Sequence, residues 1–248
     1  MNASQIFIDE TGWHRLTKIR SLAQNSRQTA IQSCGVLGTT FYALYDYETQ
    51  VYGNIGCLGM FASTLHHPND CECYKGAFLI CDTGTKDVST MLRVYDPQKR
   101  CVLDSFDLAQ QGWRTAAATY STELGVVTVS VQAIDSHMRT ENLISFVDWE
   151  RRHVEPIMTF PMRNRFVQGC TFYKGLLFVT TNNGGLSETT RFIEVNLQSR
   201  SVVQEIVFHG FGESEGLFCH VHDEGEHLIT CRNYEEGEVY ELEVGRLV

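Results

Sequence analysis

The chain has 248 residues, 43% of them hydrophobic and only 4 of them proline, and its formal net charge is −10. Because an acidic chain without a dense Lys/Arg cluster offers no basic surface, we expect no binding to nucleic acid. No apolar run approaches the roughly 20 residues that span a bilayer, so membrane insertion is not expected either.

A strand predicted within HRLTKIRSLAQ at 14–24 precedes a motif that then recurs along the chain. Each copy opens with one residue, usually polar, continues as an apolar strand, turns, and forms a second apolar strand. The opening residues are, in chain order, Gln32, Asn69, Ala116, Gln168 and Glu215. Steps of 37, 47, 52 and 47 residues, filled by short strands, are typical of β-propeller blades. The repeat therefore predicts an all-β fold, a five-bladed β-propeller, as a single domain over residues 1–248.

Each blade is predicted to hold four antiparallel strands. The YKG segments at 74–76 and 173–175 are predicted to be turns, because Gly supplies the positive φ that a turn requires. Each of these turns joins the first strand of its blade to the second. Alternating sequences such as MLRVYD at 91–96 form the outer strands. The last copy ends one strand short, at EVYELEV (238–244). We therefore expect residues 14–24 to pair with 238–244 and to close the ring, which removes exposed sheet edges.

The nine cysteines are an odd number, and several stand where a strand points inward. This pattern predicts buried free thiols, with Cys71, Cys81, Cys170 and Cys231 reduced. It favours a reducing compartment, the cytoplasm or a virion, and secretion if the N-terminus has been trimmed.

The opening residues of the innermost strands are expected to converge at one end of the central channel. The residue after each, such as Ser33 or Gly169, is small or faces the packed sheet, which leaves the opening residue free to face the axis. The predicted ligand-binding residues are Gln32, His67, Asn69, Asp70, Gln168, Glu215 and Arg232. Carboxylates on one side make the pocket acidic and favour a cation or a hydroxyl-rich ligand. The alternative is that these side chains hold water and bond to one another.

Two classes of function fit such a pocket. The first is a non-enzymatic binding or scaffold propeller whose partner is an unknown small ligand or a protein. The alternative is a hydrolase or transferase acting on sugars or peptides. In that case Asp70 and Glu215 would be the acid/base pair, and Arg232 would steer an anionic group.

Histidines suggest a third kind of site, which we do not expect to form. His66, His67, His220 and His222 could join Glu215 as nitrogen and oxygen ligands. Neighbouring residues of a strand point to opposite faces, however, so 66 and 67 cannot both take part. Neither a metal site nor a cofactor is predicted.

The stretch VQGCTFYKGLLFVTTNNGG at 167–185, followed by FGESEG at 211–216, resembles the glutamine cyclotransferase group of five-bladed propellers. That group carries a TQG segment, then LFESTG, then FGEG, and Gln168–Gly169, Leu177–Phe178 and Phe211–Gly216 match in order. The resemblance implies the same fold. The proposed acid/base Glu of the group falls on Val179, and a Trp of the group falls on Cys231, so the resemblance does not imply the cyclase reaction.

The segment HHPNDCECYKGAFLICDTG at 66–84 is similar to uncharacterised five-bladed propellers of gut Bacteroidales. Their blades open with His-x-Asn, QG and EG segments, which match His67 with Asn69, Gln168–Gly169 and Glu215–Gly216. This likeness implies no activity. Similar propellers also serve as recognition or structural modules on phage tails, or at cell surfaces, and this chain is compatible with that role.

Overall fold

The structure, a computed structural model, describes residues 5–23, 29–54, 56–83, 90–108, 113–132, 141–161, 166–183, 189–222, 225–234 and 237–245. These residues form 21 β-strands and, within the described ranges, no helix. The strands make five antiparallel sheets, and the innermost strands of successive sheets contact one another around a ring. The predicted five-bladed β-propeller is confirmed.

Two strands precede the first complete blade, and the next eight form blades 1 and 2. The leading strands are β1 (Ile6–Ile8) and β2 (Arg15–Ser21). Blade 1 consists of β3 (Ile31–Leu37), β4 (Thr40–Tyr45), β5 (Glu48–Gly53) and β6 (Gly56–Ala62). Blade 2 consists of β7 (Pro68–Tyr74), β8 (Ala77–Asp82), β9 (Met91–Asp96) and β10 (Cys101–Asp107).

The remaining strands form blades 3, 4 and 5. Blade 3 consists of β11 (Trp113–Ser121), β12 (Gly125–Gln132), β13 (Glu141–Asp148) and β14 (His153–Pro161). Blade 4 consists of β15 (Phe166–Tyr173), β16 (Leu176–Asn182), β17 (Thr190–Asn196) and β18 (Ser201–Phe208). Blade 5 begins with β19 (Ser214–His222), β20 (Gly225–Arg232) and β21 (Glu238–Glu243), and is completed by β2 and β1.

Blade 5 is built from both ends of the chain. β2 pairs antiparallel with β21, with Leu16 opposite Leu242, which confirms the predicted closure of the ring. The short strand β1 then pairs with the outer edge of β2, so that this sheet has five strands where the repeat predicted four. Leu16 is fully buried beside Phe211 and Tyr240, whereas Ile19 of the same strand is half exposed.

The hydrophobic core lies between the blades. The described side chains form five buried clusters, and each one joins two neighbouring sheets. In the seam between blades 3 and 4, for example, Val127 and Val129 pack with Leu177 and Val179. Each sheet buries both of its faces in this way, and the sequences of the inner strands are therefore largely apolar.

One disulfide crosses the seam between blades 5 and 1. Cys34 of β3 is bonded to Cys231 of β20, and their Cα atoms are 6.6 Å apart. The prediction of a reduced Cys231 was therefore wrong, whereas Cys71, Cys81 and Cys170 are free and buried as predicted. The two bonded residues are 197 positions apart, and only the closing of the ring brings them together.

Truncating Leu16 tests whether β2 contributes to the stability of the closed ring. Leu16→Ala empties a site enclosed by aromatic rings and should lower the free energy of unfolding by about 2–5 kcal/mol. Ile19→Ala on the same strand is the matched control, and its half-exposed side chain should cost no more than about 0.5 kcal/mol. Urea unfolding of the two variants provides the measurement, and equal midpoints would contradict the assigned pairing of β2.

Reduction of the disulfide should weaken the seam between blades 5 and 1. Because the disulfide restricts the unfolded chain, we expect its loss to lower the free energy of unfolding by about 2–4 kcal/mol. The urea midpoint of the wild type should fall when a reductant is added. The Cys34→Ala/Cys231→Ala double variant should start lower and should not respond. A peptide map without a linked pair of peptides from 34 and 231 would refute the bridge.

Candidate functional site

A cavity of about 250 Å³ lies where the five innermost strands begin, at one end of the channel. Every blade contributes to its wall. The lining residues are Gln32 from blade 1; His67, Asn69 and Thr83 from blade 2; Arg114, Ala116 and Val131 from blade 3; Phe166, Val167 and Gln168 from blade 4; and Glu213, Glu215 and Asn233 from blade 5. The structure thus brings together Gln32, His67, Asn69, Gln168 and Glu215 of the residues that the sequence predicted.

Each blade has a β-bulge at the same level, and in blades 1 to 4 the bulge directs the opening side chain inward. The pairing of first and second strands skips one residue at Gln32, Asn69, Ala116 and Gln168. A bulge leaves one residue unpaired and re-aims its side chain, here toward the axis. In blade 5 the skipped residue is Gly216, so Glu215 stands one position earlier than the motif alignment implied.

A second tier of side chains lies two positions before the opening residues. His67, Arg114, Phe166 and Glu213 precede Asn69, Ala116, Gln168 and Glu215 by two residues, and all four line the cavity. Alternation along a strand places residues i and i+2 on one face. The sequence therefore contained the signal for Arg114 and Phe166, although neither was among the predicted ligand-binding residues.

The amide side chains of the cavity donate their N–H groups to the protein. Asn69 Nδ2 donates to the carbonyl oxygens of Ala116 (2.6 Å) and Val167 (3.3 Å), and so ties blade 2 to blades 3 and 4. Gln168 Nε2 donates to Glu213 Oε1 at 3.3 Å. Both amide hydrogens of Asn69 and one of Gln168 are used in this way, and the side-chain oxygens of both residues can accept a hydrogen bond from a ligand.

Two carboxyl groups of blade 5 lie together in the wall. Glu213 accepts from Gln168 and, through Oε2, from Asn233 Nδ2 at 3.2 Å. Glu215 is 4% exposed, and no hydrogen bond to its carboxyl group occurs among the described residues. Burial, with the negative charges of Glu213 and Asp46, raises the pKa of Glu215 well above its usual range. A cation entering the cavity would relieve this repulsion.

Asp70 lies below the cavity rather than in its wall. Its Oδ2 accepts from the backbone N–H groups of Ala118 (3.1 Å) and Cys170 (3.0 Å), and its Oδ1 accepts from that of Leu217 at 3.3 Å. The side chain is completely buried, which raises the pKa of Asp70 although the three N–H donors oppose the shift. Asp70 therefore does not face Glu215 across an open channel, and the acid/base pair that the sequence suggested is not formed.

Glu72 continues this buried polar column and was missed in the sequence. Its Oε2 accepts from the hydroxyl groups of Thr119 (3.1 Å) and Thr171 (2.5 Å), and Oε1 accepts from the N–H of Cys73 at 2.9 Å. Burial raises the pKa of Glu72 to about 7, against the lowering effect of these hydrogen bonds. Strand β7, which carries both acids, contacts the innermost strands of all four other blades. The channel is therefore filled with protein below the cavity.

Arg232 does not reach the cavity either. Its guanidinium carbon lies 4.5 Å from the ring centre of Tyr234 and 5.0 Å from that of Phe7, and Nη1 lies 3.3 Å from Glu238 Oε2. The side chain is buried in these contacts within blade 5, which gives it a packing role. The positive charge at the cavity comes instead from Arg114 of blade 3, whose side chain is exposed at the mouth.

The predicted histidine ligands whose side chains the structure describes lie apart from one another. His67 Nδ1 is 3.2 Å from Asp46 Oδ1, while His66 contacts Tyr47. His220 lies in a separate pocket between blades 5 and 1, and the side chain of His222 falls outside the described part of the chain. Within the described ranges, no group of three or more His, Cys, Asp or Glu side chains is arranged to hold a metal ion.

Similar structures share the fold with this chain. The PQQ-bound form of aldose sugar dehydrogenase from Streptomyces coelicolor matches with a TM-score of 0.52 at 8% identity, over 93% of this chain and 98% of that one. Hydrazine synthase from Kuenenia stuttgartiensis matches with a TM-score of 0.47 at 13% identity, over 86% of this chain, which spans 58% of the length of that protein. At 8% identity, the similarity to the aldose sugar dehydrogenase shows only that the two proteins share the propeller fold.

No protein-family model and no curated protein matches the chain. The two resemblances noted in the sequence gain no support from these comparisons. Val179, which stands where the cyclotransferase group has its proposed acid/base, is fully buried in the seam between blades 3 and 4. The described segments contain no helical stretch of the length and hydropathy that a bilayer-spanning segment requires.

The buried Glu72 should make stability depend on pH. Its folded-state pKa of about 7 exceeds the ordinary value of 4.5, so the folded state binds the proton more tightly than the unfolded state. This contribution to stability is complete below pH 4.5 and should disappear as the pH rises to 7, with a size on the order of 3 kcal/mol. Glu72→Gln should therefore gain stability relative to wild type over that window.

Urea unfolding at several pH values between 4 and 8 measures the effect of Glu72→Gln. Glu155→Gln on the exposed face of β14 is the matched control and should follow the wild-type profile. A constant difference between Glu72→Gln and wild type across this range would mean that Glu72 does not titrate there.

Proposed function

We propose that this propeller is a binding module that holds one small polar molecule in the cavity at the mouth of its channel. The observation that carries the proposal is the wall of the cavity, to which all five blades contribute and into which bulges direct Gln32, Asn69 and Gln168. Small-molecule sites in proteins combine such a concave wall with a few convergent polar groups. Glu215 strengthens the proposal, because its buried carboxyl group finds no partner among the described residues.

The size of the cavity limits the ligand. Its volume of about 250 Å³ lies just below the ~300–1,000 Å³ of most small-molecule pockets. Below it, the side chains of Asp70 and Glu72 are bonded to several blades and fill the channel. A polymer therefore has no room to pass along the axis, and a single small molecule suits the space.

Binding is favoured over the enzymatic alternative. A hydrolase or transferase of sugars or peptides that uses a pair of carboxyl groups would need a second one placed opposite Glu215. Asp70, the residue expected in that role, is used for backbone hydrogen bonds below the cavity. The other carboxyl group of the wall, Glu213, comes from the same blade as Glu215 and is bonded to Gln168 and Asn233.

A cavity-filling variant tests the proposed function. Ala116→Leu adds three carbon atoms to the wall at the bulge of blade 3, where the space is open. We expect at least one class in a panel of amino acids, primary amines, carboxylic acids and monosaccharides to raise the melting temperature of the wild type. The same compound should bind Ala116→Leu at least about tenfold more weakly by isothermal titration calorimetry, because the side chain occupies its place.

Ala62→Leu provides the matched control, since the same change is made on an exposed residue at the end of β6. It should bind the compound as the wild type does. If no compound of the panel binds, or if Ala116→Leu binds as tightly as the wild type, the cavity is not the site and the proposal fails.

A further inference from the structure

We propose that the ligand of this cavity is a small zwitterion of amino-acid type, which carries an ammonium group and an acid group. The inference rests on the proposed function and adds the chemical class of the ligand. It follows from the separation of charge in the wall, where Glu213 and Glu215 of blade 5 and Arg114 of blade 3 line the same small space.

The blade 5 side suits an ammonium group. Glu213 uses one hydrogen bond on each carboxylate oxygen, and each oxygen has further lone pairs. Glu215 lines the same wall, is nine-tenths buried, and is unbonded among the described residues. A cation beside Glu215 would offset the unfavourable negative charge that Glu213 contributes there. An ammonium group supplies that positive charge, and its three N–H donors match the acceptors present.

The blade 3 side suits an acid group. Arg114 lines the cavity, and no ion pair joins it to a carboxylate of a described residue. A guanidinium group presents paired N–H donors that match a carboxylate. Nearby lining residues of blade 3, Ala116 and Val131, are small or apolar and offer no competing charge. An anionic group on the ligand would therefore be held on this side.

The ring order sets the two charges apart. Blade 4 stands between blades 3 and 5, so Arg114 and Glu213 enter the cavity from blades that are not neighbours. Gln168 of blade 4 lies between them and offers its amide oxygen. A simple amine would leave Arg114 unmatched, and a simple acid would leave Glu215 unmatched. A molecule with both charges on a short frame uses both sides within about 250 Å³.

Charge-selective variants test the inference. The tightest-binding standard amino acid is compared by calorimetry with its decarboxylated amine and its deaminated acid. The wild type should bind the amino acid at least about tenfold more tightly than either analogue. Arg114→Gln should weaken binding of the amino acid about tenfold or more and leave binding of the amine unchanged. Glu215→Gln should weaken binding of the amino acid and of the amine by a similar factor and leave binding of the acid unchanged.

Two controls match these changes in chemistry. Arg151→Gln alters a turn arginine whose side chain is 85% exposed, and Glu155→Gln alters an exposed residue of β14. Both should bind the amino acid as the wild type does.

The outcomes separate the inference from the function on which it rests. If a monosaccharide, an amine or an acid binds best and Ala116→Leu weakens it, the cavity is a binding site and the zwitterion inference is overturned. The inference is also overturned if Arg114→Gln weakens binding of the amino acid and of the amine equally. If amino-acid binding survives Ala116→Leu, or if nothing in the panel binds, both proposals fall.

Discussion

The carboxyl group of Asp70, on blade 2, accepts backbone hydrogen bonds from blades 3, 4 and 5. A single side chain can reach three other innermost strands only if those strands approach the axis very closely. Gly169 permits the approach, because a Cβ atom there would lie 2.4 Å from the amide nitrogen of Leu217. The close packing around Asp70 fills the lower channel, so the space above it has a floor. The cavity therefore depends on this contact.

The architecture could be predicted because it repeats. Five copies of one motif specify five blades, and a last blade that is one strand short indicates that residues near 14–24 complete it. The direction of the side chains near the opening residues was harder to predict, because a bulge adds one residue and reverses the alternation of side chains beyond it. Asn69, at the bulge, lines the cavity, while Asp70 turns toward the backbone of other blades. Nothing in the motif distinguishes the two.

Contacts between distant segments explain the remaining differences. Arg232 was expected at the mouth, but the rings of Phe7 and Tyr234 hold it within blade 5. Phe7 belongs to β1, a strand of three residues that no repeat predicts. The bond between Cys34 and Cys231 likewise depends on which seam closes the ring. Arg114, by contrast, could have been found, because it stands two residues before Ala116, as His67 does before Asn69.

The composite blade 5 also has a consequence for the order in which the protein is made. β2 leaves the ribosome well before its partner β21, which ends more than two hundred residues later in the chain. At ~5–20 residues per second, β2 waits on the order of ten to forty seconds before it can pair. During translation the growing chain therefore carries four blades in sequence while an unpaired strand, with Leu16 uncovered, stays accessible to chaperones. The ring can close only after β21 has been made.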